Sequence, residues 1–252
     1  MISLGRDDEK GDGLTGDART AELSHRLDAV RRRIETAVAA AGRIDPPRLI
    51  VVTKFHPADD VRRLAALGVT DVGENRDQEA SAKSAGLPDV DVQWHFIGQL
   101  QSNKAKSVVK YAASVQSIDR LQVVDALAKA VAREQDATGR GDLDCFIQVD
   151  LDDDAGAHRG GASPSDIGVL ADRIESAPGL QLSGLMAVAP LGADPEAAFE
   201  QLAGISEALR ATYPAATRIS AGMSQDLEAA VKFGATHLRI GSDILGSRPA
   251  VG

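Results

Sequence analysis

Eight short apolar, β-branched runs punctuate this chain, at residues 49–53, 69–73, 92–97, 114–118, 145–151, 182–188, 217–220 and 237–240. Runs of this kind, bounded by turn formers, read as buried strands. Most are separated by segments with helical spacing (59–67, 121–134, 165–176, 196–211 and 226–233), and a further helix is expected at about 21–41. Such alternation calls for parallel strands joined by helical crossovers, because parallel neighbours cannot be linked by a tight turn. Eight β-α units fit a single (β/α)8 TIM barrel, an α/β fold whose active site lies at the C-terminal strand ends. An open doubly wound sheet is the alternative, and the barrel is preferred. The length of 252 residues, 43% of them hydrophobic, suits one such domain. No Pro/Ser-rich linker interrupts residues 49–246, so the expected organisation is a barrel domain over 21–252 behind a disordered tail over 1–20.

The formal net charge of -9 and the 3% aromatic content offer neither a phosphate-backbone footprint nor a base-stacking surface, which argues against nucleic acid. Cys145, the one cysteine, sits in an apolar run and reads as a small buried hydrophobe; no disulfide can form within the chain. The first 17 residues lack an apolar signal core, and no stretch is long enough for a bilayer, so a soluble, cytoplasmic monomer is expected. His25, His56, His95, His158 and His237 show no paired metal-ligand spacing, and Asp152-Asp153-Asp154 reads as a solvated acidic loop.

Chemistry is expected at the strand ends. Lys54 directly follows the first apolar run, which puts its amine at the catalytic lip. An amine held against apolar walls has a lowered pKa and attacks an aldehyde to form an imine. On position alone, however, Lys54 reads more readily as an ordinary surface lysine that ends a strand. The segment Ser220-Ala221-Gly222-Met223-Ser224 has a glycine for the turn and Ser224 as a helix N-cap, resembling an anion cradle; Arg239-Ile240-Gly241-Ser242 brings a second glycine, a hydroxyl and an arginine to the next strand end. These are the seventh and eighth units, the usual phosphate site of such barrels. Asp226 and Glu228 also complement a helix dipole without any ligand. Glu74 and Asn75 close the second strand, either as groups reaching Lys54 or a cofactor or as a turn that starts the next helix. His95, between Trp94 and Phe96, reads as a hydrogen-bonded core histidine.

Several strings together identify a family: Thr53-Lys54, Gly73-Glu74-Asn75, Trp94-His95-Phe96-Ile97-Gly98-Gln99-Leu100-Gln101-Ser102-Asn103-Lys104, Gly184-Leu185-Met186, Gly222-Met223-Ser224 and Arg239-Ile240-Gly241. The chain resembles the pyridoxal phosphate homeostasis proteins from about Ala21 to Arg248. The resemblance implies a barrel like the N-terminal domain of alanine racemase, with pyridoxal phosphate held as a Schiff base on Lys54. It also implies that Arg239 faces the pyridine nitrogen, that Ser220, Gly241 and Ser242 hold the phosphate, and that Met223 lines the pocket, with Asn75 and Met186 beside it. Ser242 stands where the family usually has threonine, and Ala221 where methionine is common; His158-Arg159 replaces a usual lysine in the 152–161 loop.

The implied function is cofactor carriage and homeostasis, with apo-enzymes that use the cofactor as partners. The alternative from another class is an amino-acid racemase or decarboxylase using the same imine; a cofactor-free Schiff-base aldolase is a third. Only ten residues follow the eighth unit's Ser242, so the second domain that racemases of this fold use is not expected here, and the arginine that the resemblance places at the ring nitrogen would blunt the cofactor as an electron sink. Both favour the carrier.

Overall fold

Asp17 opens the first helix by accepting the Thr20 N–H at 2.7 Å, an N-cap that satisfies one of the end's orphan donors. The computed structural model describes residues 16–152 and 160–247. Helix α1 (Ala18–Ala40) buries Leu23, Leu27, Val30, Ile34 and Ala37, spaced three or four apart on one face. The helix thus begins inside the segment expected as tail; the remainder of that tail to Thr15 lies outside the described residues.

The strands are β1 (Arg48–Val52), β2 (Asp71–Glu74), β3 (Gln93–Phe96), β4 (Ala112–Ile118), β5 (Leu143–Gln148), β6 (Leu180–Met186), β7 (Arg218–Ser220) and β8 (His237–Ile240). All pair in parallel in chain order, and β8 returns to β1 to close the barrel. Closure removes both sheet edges. The expected barrel is borne out. The open sheet is excluded because β1 and β8 share a four-residue register from Arg48 with His237 to Val51 with Ile240.

The outer layer comprises α2 (Ala58–Ala66), α3 (Asp77–Ala85), α4 (Ala105–Val108), α5 (Leu121–Thr138), α6 (Ile167–Glu175), α7 (Pro195–Thr212), α8 (Leu227–Lys232) and α9 (Ser242–Leu245). Helix α1 packs across α2, α8 and α9. Three of these, α3, α4 and α9, fall outside the helical segments expected from spacing. Each has little of the apolar stripe that periodicity detects; α3 buries only Ala80 and Lys83. The cap of α8 also differs from expectation: its N-cap is Asp226, not Ser224. Asp226 turns its carboxylate back to accept the Met223 N–H at 2.5 Å.

Cys145 is fully buried, and burial pushes its thiol well up, as a core residue requires. No helix among the described residues is long and apolar enough to cross a membrane.

Candidate functional site

Barrel closure places the residues following β1, β7 and β8 around one cleft of about 640 Å³, a volume suited to a small molecule. Lys54, Met223, Arg239, Gly241 and Ser242 all line it. Gly222, just before Met223, has φ of +92°, the left-handed region glycine tolerates, and a Cβ there would fall 2.6 Å from that of Ala230. The resulting turn brings the Ser224 and Ser242 hydroxyls to 3.3 Å from each other on the cleft wall. The donor set combines an amine, a guanidinium and paired hydroxyls. It suits a small molecule with an electrophilic carbon and an anionic group. Among the described residues no group of side chains is arranged to hold a metal.

Three further expected residues lie elsewhere. Ser220 is fully buried behind the wall: its hydroxyl donates to Gln116 Oε1 at 2.7 Å and accepts from Arg239 Nη1 at 2.6 Å. It orients the arginine and does not face the cleft. Met186 is buried at the end of β6, and Asn75 lines a separate depression with Arg76, Gln99 and Lys104. Strand alternation tells inward from outward but not the height of a side chain along the barrel axis, which is what separates Ser220 and Met186 from the mouth.

Arg239 is held by its second bond, Nη2 to Ala187 O at 2.8 Å, and is 4% exposed. Burial lowers its pKa to about 10, with the Asp226 carboxylate opposing. It remains a cation at neutral pH.

Behind Arg239 runs a polar column through the barrel interior. Ser220 leads to Gln116, Gln116 stands 3.5 Å from Ser114, and His95 bridges Ser114 at 2.7 Å and Asp71 at 2.8 Å. His95 is therefore a hydrogen-bonded core histidine, as expected. Burial pushes the Asp71 carboxyl up, but hydrogen bonds from His95 and Thr70 outweigh it and hold its pKa at about 2.

Lys54 sits in an unusual turn. Phe55, just after it, has φ of +69°, the one non-glycine residue with positive φ among those described. Such a conformation costs about 1–2 kcal/mol. It is offset by a charge-assisted bond from the Phe55 N–H to Glu79 Oε1 at 2.6 Å, of a kind contributing about 1.5–3 kcal/mol. Lys83 is buried on α3 one turn after Glu79, and donates to Thr53 O at 2.8 Å, Glu74 Oε1 at 2.6 Å and Glu79 Oε1 at 2.7 Å. Thr53 Oγ1 also donates to Glu74 Oε1 at 2.7 Å. Burial raises the Glu74 pKa while Lys83 opposes the rise. Glu74 is thus engaged by Thr53 and Lys83 and is not part of the cleft lining, and the turn-to-helix reading of Gly73-Glu74-Asn75 describes the backbone better. The sequence reading omitted Glu79 and Lys83. Their signal was the i, i+4 acid-base spacing that also marks α3. His56 was likewise missed as a cleft residue: it is buried, and desolvation first, then nearby cations, lower its pKa despite Asp60.

The family of the alanine racemase N-terminal domain matches residues 26–249. A protein of Corynebacterium glutamicum named pyridoxal phosphate homeostasis protein is 47% identical over 204 residues, 80% of this chain and 90% of that one. The protein of that name in Mycobacterium bovis is 41% identical over 245 residues, 91% of this chain and 94% of its own. The solved structure of PipY from Synechococcus elongatus with pyridoxal phosphate bound superposes with a TM-score of 0.76 at 33% identity, covering 89% of this chain and all of that one.

Proposed function

Because the chain belongs to the alanine racemase N-terminal domain family and, within it, to the pyridoxal phosphate homeostasis proteins, we propose that it carries pyridoxal phosphate as a Schiff base on Lys54. In this reading it buffers or delivers the cofactor to apo-enzymes without efficient turnover of its own. The observation that carries the reading is the cleft itself, which gathers Lys54, Arg239 and Ser242 around a space of the right size. When bound, the group supplies an aldehyde and an electron-accepting ring. Lys54 would hold that group through its amine, Gly241, Ser242 and Ser224 would hold its phosphate, and Met223 would line the pocket beside it. Ser220 serves by fixing Arg239 rather than by touching phosphate.

A cationic Arg239 facing the ring nitrogen would donate to it and oppose its protonation, which would weaken the ring as an electron sink. That favours a carrier over a racemase or decarboxylase. The test is incubation of the loaded protein with a panel of amino acids, following chirality and carbon dioxide, alongside transfer of cofactor to an apo-enzyme. Negligible turnover with transfer is expected. Robust Lys54-dependent turnover of any amino acid would promote the enzyme alternative.

Arg239→Gln is expected to keep the imine band but shift its pH titration, because a neutral amide still bonds the ring nitrogen without opposing its proton. Binding weakens modestly. Superimposable titrations of variant and wild type would remove Arg239 from the ring.

A further inference from the structure

We propose that Glu74, Glu79 and Lys83 are positioning residues that hold the Lys54 backbone in the one conformation from which its amine points into the cleft. The proposal rests on the reading of Lys54 as the cofactor lysine. Its basis is which peptide groups the three side chains grip. The carbonyl accepting from Lys83 belongs to the peptide joining Thr53 to Lys54; the N–H donating to Glu79 belongs to the peptide joining Lys54 to Phe55. Both planes flanking the Lys54 Cα are therefore pinned by charged groups, and one of them is the entry to a left-handed residue. Glu74 ties the assembly to the sheet, since its Oε1 takes both the Thr53 hydroxyl and the Lys83 ammonium.

An ordinary core ion pair gives no such account. Lys83 directs one of its three bonds to a backbone carbonyl rather than to a carboxylate, and Glu79, with 23% of its side chain exposed, reaches inward to a backbone N–H. With both peptides flanking Lys54 held, the amine meets the aldehyde without a search over backbone conformations. Ordering is already complete before the cofactor arrives, which is how preorganisation raises affinity.

Glu79→Ala is the direct test, because α3 tolerates alanine there and the side chain is partly exposed. In the cofactor-free protein the Phe55 amide is expected to exchange its hydrogen at least tenfold faster. The apparent Kd for pyridoxal phosphate, read from the imine absorbance, is expected to rise at least tenfold. Glu79→Gln keeps an acceptor oxygen and recovers most of both. Leu170→Ala, a fully packed site on α6 remote from the cleft, provides the control for a general loss of stability and keeps the imine. Borohydride reduction and peptide mapping of the wild type come first. Label on a lysine other than Lys54 overturns the parent reading and the proposal with it. With label on Lys54, unchanged Phe55 exchange or a Kd within twofold of wild type in Glu79→Ala overturns the positioning role alone. Equal loss of the imine in Leu170→Ala does the same.

Discussion

Lys54→Ala is expected to abolish the imine absorbance on titration with pyridoxal phosphate while moving the unfolding temperature by no more than a few degrees. The two halves of this prediction have separate causes. Lys54 is the amine on the cleft wall, whereas the other lysine close to this turn, Lys83, spends its ammonium on three acceptors and is buried. Among the described residues lining the cleft there is no second lysine to substitute as nucleophile. Stability is spared because Lys54 is half-buried in a loop and the turn around it is held by Glu79 and Lys83 through backbone atoms that alanine retains. Changes of this kind usually stay within about 0.5–1 kcal/mol. Arg239 and the serine hydroxyls remain, so weak non-covalent binding persists with the spectrum of the free aldehyde. Absorbance, borohydride trapping and a thermal melt together check the result, and a wild-type spectrum in the variant would end the assignment.

The second large effect is a loss of stability in mild acid, governed by His237. Its ring is buried in β8, edge-on to Phe146 at 5.4 Å between centroids, with Nδ1 2.8 Å from the Thr236 hydroxyl. Burial, then the positive fields of His95, Arg218 and Arg48, lower its pKa to about 3, with Asp71 opposing. The unfolded chain takes up a proton near the ordinary value of 6.5 and the folded one does not until about 3. Unfolding is therefore favoured progressively as pH falls through that window. The stabilisation is complete above 6.5 and declines by about 1.4 kcal/mol per pH unit below it. At pH 5 the expected loss is about 2 kcal/mol. Asp71 acts lower: its depressed pKa stabilises the fold above about pH 4, and that contribution, about 1–2 kcal/mol after allowance for solvent screening, fades toward pH 2. Denaturant titrations of wild type and His237→Gln between pH 8 and 4 isolate the effect. The difference between the two curves should slope below pH 6.5, and parallel curves would show that His237 is not the group responsible.

Much of the barrel was legible because its signal is redundant. Each of the eight strands carries its own apolar run, and every observed strand overlaps the expected one, as with residues 237–240 and β8. Helices were legible only where an apolar stripe faces the sheet, as in α5 with Val123, Val124, Leu127 and Val131 buried. At the cleft, Lys54, Met223, Arg239, Gly241 and Ser242 could be read because their chemistry and their place after a strand coincide. Ser220 lies behind the cleft wall, bonded to Arg239, and a hydroxyl deeper in the barrel has the same sequence signature as one at the rim. Glu79 and Lys83 were passed over for a different reason. They act through backbone atoms of another segment, and an acid-base pair one turn apart on a helix otherwise reads as a solvated face.

The polar column from Asp71 to Arg239 also constrains how the barrel can change over time. Ser220 is at once donor to Gln116 and acceptor from Arg239, and His95 is bonded at both ring nitrogens. An apolar replacement at any single position strands a buried partner on each side, at about 1–3 kcal/mol for each group left unpaired. Against a total stability of about 5–15 kcal/mol, one such step is costly and two are close to ruinous. The interior can therefore drift only by matched exchanges, in which a new donor arrives together with its new acceptor. Sequences descending from this one should either retain the whole column or replace it wholesale, and intermediates with half a column should be scarce.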